Sequence, residues 1–393
     1  MNGTIYMPVG EVCSSISDTY REKKNMVTLI NTSDVLEGRV LNHERVPNSN
    51  LKGQFKKTFQ RDDILYSEIR PQNRRFAYVD FSPIDYIAST KLMVIRAKKD
   101  VVSPKYLYYF LKNSSTVAEL QLLAETRSGT FPQITFSEVA NLTIPVPSLA
   151  VQEVIVQTMQ CLEDKITCNE QISDNLEQQA QAFFQELFVD NADPKWAIGA
   201  ISNLGAVVGG STPSKAKPEY YTETGIAWIT PKDLSVNKSK FISHGENDIT
   251  ELGLKNSSAT IMPEGTVLFS SRAPIGYIAV AAGEVTTNQG FKSIVPKPEI
   301  GTAFVYYFLK HNLPIIEGMA SGSTFKEVSG SAMKGVPAVI PDTDTIARFN
   351  DFCSPIFAQQ RILEEQNQSL AALRDNLLPK LMSGEIDVSD IQL

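Results

Sequence analysis

The chain has 393 residues, of which 42% are hydrophobic and 21% charged, and its net charge is −7. This length suits roughly two to three domains and more than one core, and the composition excludes wholesale disorder, collagen-like repeats and disulfide-rich secreted folds. No run of about 18 uncharged apolar residues is present, so no membrane span is expected.

Chemistry-bearing motifs are scarce. The N-terminus, MNGTIYMPVGEV, lacks the basic-then-apolar order of a signal peptide. Cys13, Cys161, Cys168 and Cys353 form no C-x-x-C pair, which suits a reduced, cytoplasmic protein. His43, His244 and His311 have no spaced ligand partners, so no metal site is expected. There is no phosphate loop, no G-x-G-x-x-G opening a helix and no double proline. These absences argue against an enzyme with a familiar nucleotide, metal or methyl-donor site.

The acid is unevenly placed. Residues 1–148 carry +4, residues 149–190 carry −7, residues 191–342 are neutral and residues 343–393 carry −4. The first segment is therefore a candidate for contact with polyanions despite the acidic total. Its bases are Lys56, Lys57, Arg61, Arg70, Arg74 and Arg75. Residues 67–75 (SEIRPQNRR) read as a strand end running into a polar loop, where arginine suits phosphates or guanine edges; a solvated surface is the plainer alternative. Residues 106–111 read as a short helix entered at Ser103-Pro104, with serine as cap and proline in the first turn. The loop from Arg127 through Thr130 to Phe131 offers hydroxyl and backbone donors to phosphates, or is a simple turn.

Residues 149–190 contain no Pro and no Gly up to 189, and apolar residues step by four and three: Ile155, Met159, Leu162, Ile166, then Leu176, Ala180, Phe183 and Leu187. Asn169 and Ser173 fall on the same stripe, so the period is 3.5 with a polar gap. The next segment, 191–342, again reads as β-rich, from runs at 226–230, 266–270 and 277–281 punctuated by Gly and Pro. Its DNA-binding candidates are Arg272 at a strand end, Asn288 and Gln289, whose amides suit adenine, Lys292, and the loop hydroxyls Ser323 and Thr324. A loop cap is the alternative for Asn288-Gln289. Residues 343–393 carry a second seam: Ile346, Phe349, Cys353, Ile356, Gln360, Leu363, Asn367, Leu370, Arg374, Leu377 and Leu381. Ser354-Pro355 suggests a helix restart or a kink, and Gly384 a stop.

The chain is duplicated. YYFLK occurs at 108–112 and 306–310; SGTF at 128–131 matches SGSTF at 321–325; DILYS at 63–67 matches TVLFS at 266–270; NTSD at 31–34 matches TPKD at 230–233. A period of about 195 residues means two copies of a domain, each a β-rich body followed by a long helix. A helix of about 41 residues would run about 60 Å. Either each helix packs on its own body, or the two helices pair antiparallel with polar seam residues such as Asn367 fixing register.

The chain resembles the specificity subunits of type I restriction-modification systems. The matching stretches are GGSTPS at 209–214, IAWITPKDL at 226–234, residues 265–272, NQG at 288–290 and LLPKLMSGEI at 377–386, in a duplicated body-plus-helix order spanning the chain. The first body lacks the GGSTP opening and the tryptophan. The resemblance implies an α+β fold with two target recognition domains, 1–148 and 191–342, in pseudo-twofold arrangement. The helices at 149–190 and 343–393 would form an antiparallel coiled-coil spacer. Each recognition domain would read half of a bipartite double-stranded DNA target. The helices would set the gap and dock two modification subunits, which carry S-adenosylmethionine and methylate adenine N6. Restriction subunits with ATP-driven translocation can join. The chain itself would hold no cofactor and catalyse nothing. The rival readings are a self-contained DNA methyltransferase or nuclease, and a protein scaffold without DNA readout.

Overall fold

The computed structural model describes residues 4–22, 24–49, 53–127, 131–322 and 326–388. It divides into two compact units, Met1–Ile166 with Ser369–Leu393, and Thr167–Gln368. Each unit is one body, the first half of one long helix and the second half of the other.

In the first unit the body holds two four-stranded sheets. One has the order Val46–Pro47, Met26–Ile30, Tyr86–Ser89, Phe55–Lys57; the other runs Cys13–Ile16, Leu92–Ala97, Ile64–Ser67, Phe76–Tyr78. Val94 pairs with Leu65 and Met93 with Tyr66, antiparallel. Successive side chains in a strand face opposite ways. Leu65, Leu92 and Val94 thus join a core with Ile30, Val35 and Ala88, while Ile64, Tyr66, Met93 and Ile95 join a core with helical residues. Burial on both faces explains why ILYS and LMVI show no polar alternation.

The second unit is organised around a five-stranded sheet, Gly205–Gly209, Lys292–Pro296, Val267–Ser271, Ile275–Ala281, Phe241–Ile242. It splits its faces the same way: Val267, Phe269, Val280 and Ile294 face the helical core, and Leu268, Ala279 and Ala281 the other. Further correspondences mark the duplication. A two-stranded ribbon precedes the long helix in each unit, Ile5–Pro8 with Thr143–Val146 and Ala197–Ala200 with Pro337–Ile340. Asp34 accepts from the Asn31 amide, and Asp233 from the Thr230 amide, both over 2.7 Å.

The YYFLK copies lie in helices Pro104–Lys112 and Thr302–His311. Ser103 does not cap the first of these with its hydroxyl. Gln152 does related work from the neighbouring helix: its Oε1 accepts from the Ser103 amide over 2.8 Å. The bodies hold more helix than the β-rich reading implies, including Ser114–Arg127 and Phe136–Asn141.

The central helix spans Leu149–Gln185, followed by one wider turn at Glu186–Asp190, and the C-terminal helix spans Thr343–Ser383. The latter neither stops nor restarts at Ser354-Pro355. Pro355 lies on an exposed stretch, where the hydrogen bond lost at its nitrogen leaves the Asp351 carbonyl beside water. The helix ends at Gly384, which takes φ 78.

Both readings of the helices hold together. In the first unit Ile155, Met159 and Leu381 are buried in one cluster with body residues, and Leu162 and Leu377 pack at its edge. In the second unit Leu187 and Ile356 are buried with the body, and Leu176 and Phe183 flank them. Phe183 meets Phe352 and Phe349 of the C-terminal helix at 4.6 and 6.0 Å. Leu363 is buried, and Ile166 and Leu370 are half-buried. The polar gap lies inside. Asn169 is fully buried and its amide donates to Asn367 Oδ1 over 2.9 Å, while Gln360 donates to the Ser173 carbonyl over 3.0 Å. These contacts run antiparallel. Asn169→Ala removes the donor that Asn367 accepts from, and is expected to cost about 1–3 kcal/mol by denaturant unfolding.

Candidate nucleic-acid interface

In the second unit the strand Val267–Ser271 delivers Arg272 to the rim of an open cleft of about 720 Å³. Its walls include Thr212, Lys215, Trp228, Arg272, Asn288 and Gln289. Four of the stretches that carry the family resemblance, GGSTPS, IAWITPKDL, residues 265–272 and NQG, therefore converge on one place. Gly210 lies against the Thr287 and Asn288 carbonyls, which a Cβ there would strike. The Ser211 amide donates to Thr287 over 2.9 Å, and the Trp228 indole donates to the Ser211 carbonyl over 3.0 Å. Tyr221 donates to the Pro213 carbonyl over 2.6 Å and meets Trp228 edge-on. The Thr212 hydroxyl bonds Gln289 Oε1. The GGSTP loop is thus stapled to the NQG turn, with aromatic side chains behind it. Gly210→Ala is expected to destabilise the chain by about 1–3 kcal/mol through overpacking against backbone, measurable as a lowered melting temperature.

The basic and amide candidates divide by environment. Arg272 is partly exposed and pairs with Glu327 over 3.5 Å; the same carboxylate holds Lys292 at 3.4 Å. Lys292 is mostly buried by this contact and supports the rim rather than projecting from it. Asn288 caps its own turn, accepting from the Gly290 amide over 2.8 Å, so the cap reading describes its carbonyl. Gln289 is exposed at the lip.

The first unit repeats the strand-end layout. Arg70 follows the strand Ile64–Ser67, takes φ 43 before Pro71 and is exposed; Ala273 takes φ 50 before Pro274. Arg70 lies 5.8 Å from the Phe131 ring, and Ile69 bridges Gln133 as Arg272 bridges Glu327. In both units the segment after the Ser-Gly loop therefore runs beside the strand-end arginine. Thr130, Ser323 and Thr324 lie outside the described residues, as does the side chain of Arg127. Lys56 and Arg61 are exposed.

Three other bases serve the fold. Lys57 is half-buried and donates to the Leu92 carbonyl over 2.8 Å, and burial lowers its ammonium below the usual lysine range. Arg75 donates to the Ser33 carbonyl over 3.0 Å, and Arg74 to Ser114 Oγ over 3.0 Å. Of the six candidate bases, Lys56, Arg61 and Arg70 are exposed, while Lys57, Arg74 and Arg75 bond other parts of the first body. Lys91, which bonds Gln133 over 3.2 Å beside the Arg70 loop, and Lys215 in the cleft escaped the sequence reading. Nothing local marks them, because each reaches its site through the fold.

Comparisons with known proteins agree with this layout. The model of the type I restriction modification DNA specificity domain matches residues 6–178 and 194–373. The specificity subunit of type I restriction enzyme HindI from Haemophilus influenzae is 30% identical, over 92% of this chain and 94% of that one. That of EcoR124I/EcoR124II from Escherichia coli is 25% identical, over 77% and 70%. The solved S subunit of a type I restriction-modification system from M. genitalium shares the fold, with a TM-score of 0.56 at 16% identity, over 97% of this chain and 96% of that chain. Two matched specificity domains, each carrying its strand-end arginine, and a relative alike along almost the whole length place the chain: it belongs to the specificity subunits of type I restriction-modification systems.

Proposed function

We propose that each unit reads one half of a bipartite double-stranded DNA target, and that the two long helices set the gap between the halves. The chain is then the recognition subunit of a methylating complex rather than a catalyst. The observation that carries this is an arginine at the strand end of each unit, beside the segment that follows the Ser-Gly loop. Arginine there can bond guanine edges bidentately, and the exposed Gln289 amide suits adenine. The helices would dock two modification subunits in the cytoplasm, each bringing S-adenosylmethionine for methylation of adenine N6, and restriction subunits can join that assembly. Exposed apolar side chains support docking on the helices: Ile172 and Ile362 in the second unit, Leu373 in the first.

Arg272→Ala tests the cleft. Binding of the full complex to duplexes varied at each position is expected to fall by about 1–3 kcal/mol and to relax one half-site only. An equal loss on every sequence, with the salt slope reduced by about one, would make Arg272 a phosphate contact. Unchanged binding would remove the cleft from the interface.

A further inference from the structure

The YYFLK repeat meets the same partner chemistry in both units. In the first, the Tyr109 hydroxyl donates to Glu163 Oε2 over 2.9 Å, and the Lys112 ammonium pairs with Glu163 Oε1. In the second, Tyr307 donates to Glu177 Oε2 over 2.8 Å, and Lys310 to Glu177 Oε1 over 2.6 Å. Each lysine also lies over its own tyrosine pair: Lys112 is 5.0 and 4.6 Å from the rings of Tyr108 and Tyr109, and Lys310 is 5.4 and 5.9 Å from those of Tyr306 and Tyr307.

Duplication alone does not produce this. The repeat would place the second acceptor on the C-terminal helix, where Phe357 stands in the position of Glu163. Phe357 packs on Tyr306 and Tyr307 at 5.8 and 6.1 Å, so the positions do correspond. The carboxylate comes instead from Glu177. Both acceptors therefore belong to the central helix, two heptads apart in sequence.

A carboxylate whose two oxygens are taken by different side chains fixes rotation as well as distance, where a single bond would leave a pivot. We infer that Glu163 and Glu177 are positioning residues: each locks the orientation of its own body on the central helix, and so sets how strictly the complex measures the gap between half-sites. This rests on the bipartite reading above. The second lock is the stronger, because Lys240 pairs with Glu177 and also donates to Gln360 on the C-terminal helix over 2.6 Å.

The test uses the full chain co-produced with its modification subunit. The probes are duplexes carrying the split motif with its native gap, or a gap one base pair longer or shorter, and the readout is the rate of N6-methyladenine formation. Glu163→Gln is expected to lower the preference for the native gap about tenfold. Tyr109→Phe and Tyr307→Phe, which remove one hydroxyl each, should lower it about two- to tenfold, and Lys112→Arg should preserve most of it. Each variant should also relax base discrimination in the half-site of its own unit more than in the other. Slower methylation with unchanged gap preference marks a purely structural role and overturns the inference. If Glu177→Gln does not assemble, Tyr307→Phe decides for that unit. A wild-type complex indifferent to the gap overturns the bipartite reading, and this inference with it; a strict wild type with equally strict variants overturns the inference alone.

Discussion

Glu177→Gln is expected to destabilise the second unit by about 3–5 kcal/mol, the range for stripping a buried ion pair of one partner. Glu177 is the shared counter-charge of Lys240 and Lys310, and Lys240 is 8% exposed. The Lys240 ammonium sits 4.2 Å from the Phe357 ring and 4.8 Å from that of Tyr306, contacts that favour a cation but do not neutralise it. Burial lowers Lys240 below the usual ammonium range, and Glu177, divided between two lysines, restores only part of that. Burial alone would raise the Glu177 carboxyl, but Lys240 and Lys310 outweigh it and hold it down to about 2.

Because that value lies below the ordinary 4.5, the carboxylate's contribution is complete above pH 4.5 and is lost as pH falls from there towards 2. Glu364 works in the opposite sense: burial raises its carboxyl despite the Lys240 and Phe241 amides that donate to it. Unfolding of the wild type followed from pH 7 to 2 should show the acid loss, and Glu177→Gln should start lower and show a shallower one. A variant with wild-type stability would mean that the lysines find other counter-charges.

The second large effect is on the gap. One heptad inserted after Ile166, with a matching heptad after Gln368, should shift the recognised gap by about three base pairs. Seven helical residues add about 10 Å, and base pairs stack at about 3.4 Å. The matched insertion is needed because Gln360 bonds the Ser173 carbonyl across the helix pair. Methylation motifs of the lengthened protein, read by sequencing, check this. An unchanged gap would show that the helices are not the ruler.

Much of this was legible in the chain, for physical reasons. The seam positions could be named because a 3.5-residue period survives any tertiary context, and the polar Asn169 and Ser173 lie inside it as the period requires. The duplication was legible because buried aromatic helices tolerate little change. The cleft was legible only in fragments: GGSTP, the tryptophan and NQG are separately visible, but the contact of Gly210 with Asn288 exists only once the sheet pairs. The helix Ser114–Arg127 was missed because a buried glutamine, Gln121, interrupts the stripe of Val117, Leu120 and Ala124. Glu163 and Glu177 were indistinguishable from the other acids of a strongly acidic helix. What singles them out is the pair of lysines, one per repeat, that reach them from the bodies.

The most direct test of the account is a genome-wide map of N6-methyladenine in the native cell, with and without this gene, under conditions where the chain and its modification subunit are both produced. The account predicts loss of methylation at one split motif, whose two halves correspond to the two units and whose gap is constant. Methylation unchanged at every motif would contradict it.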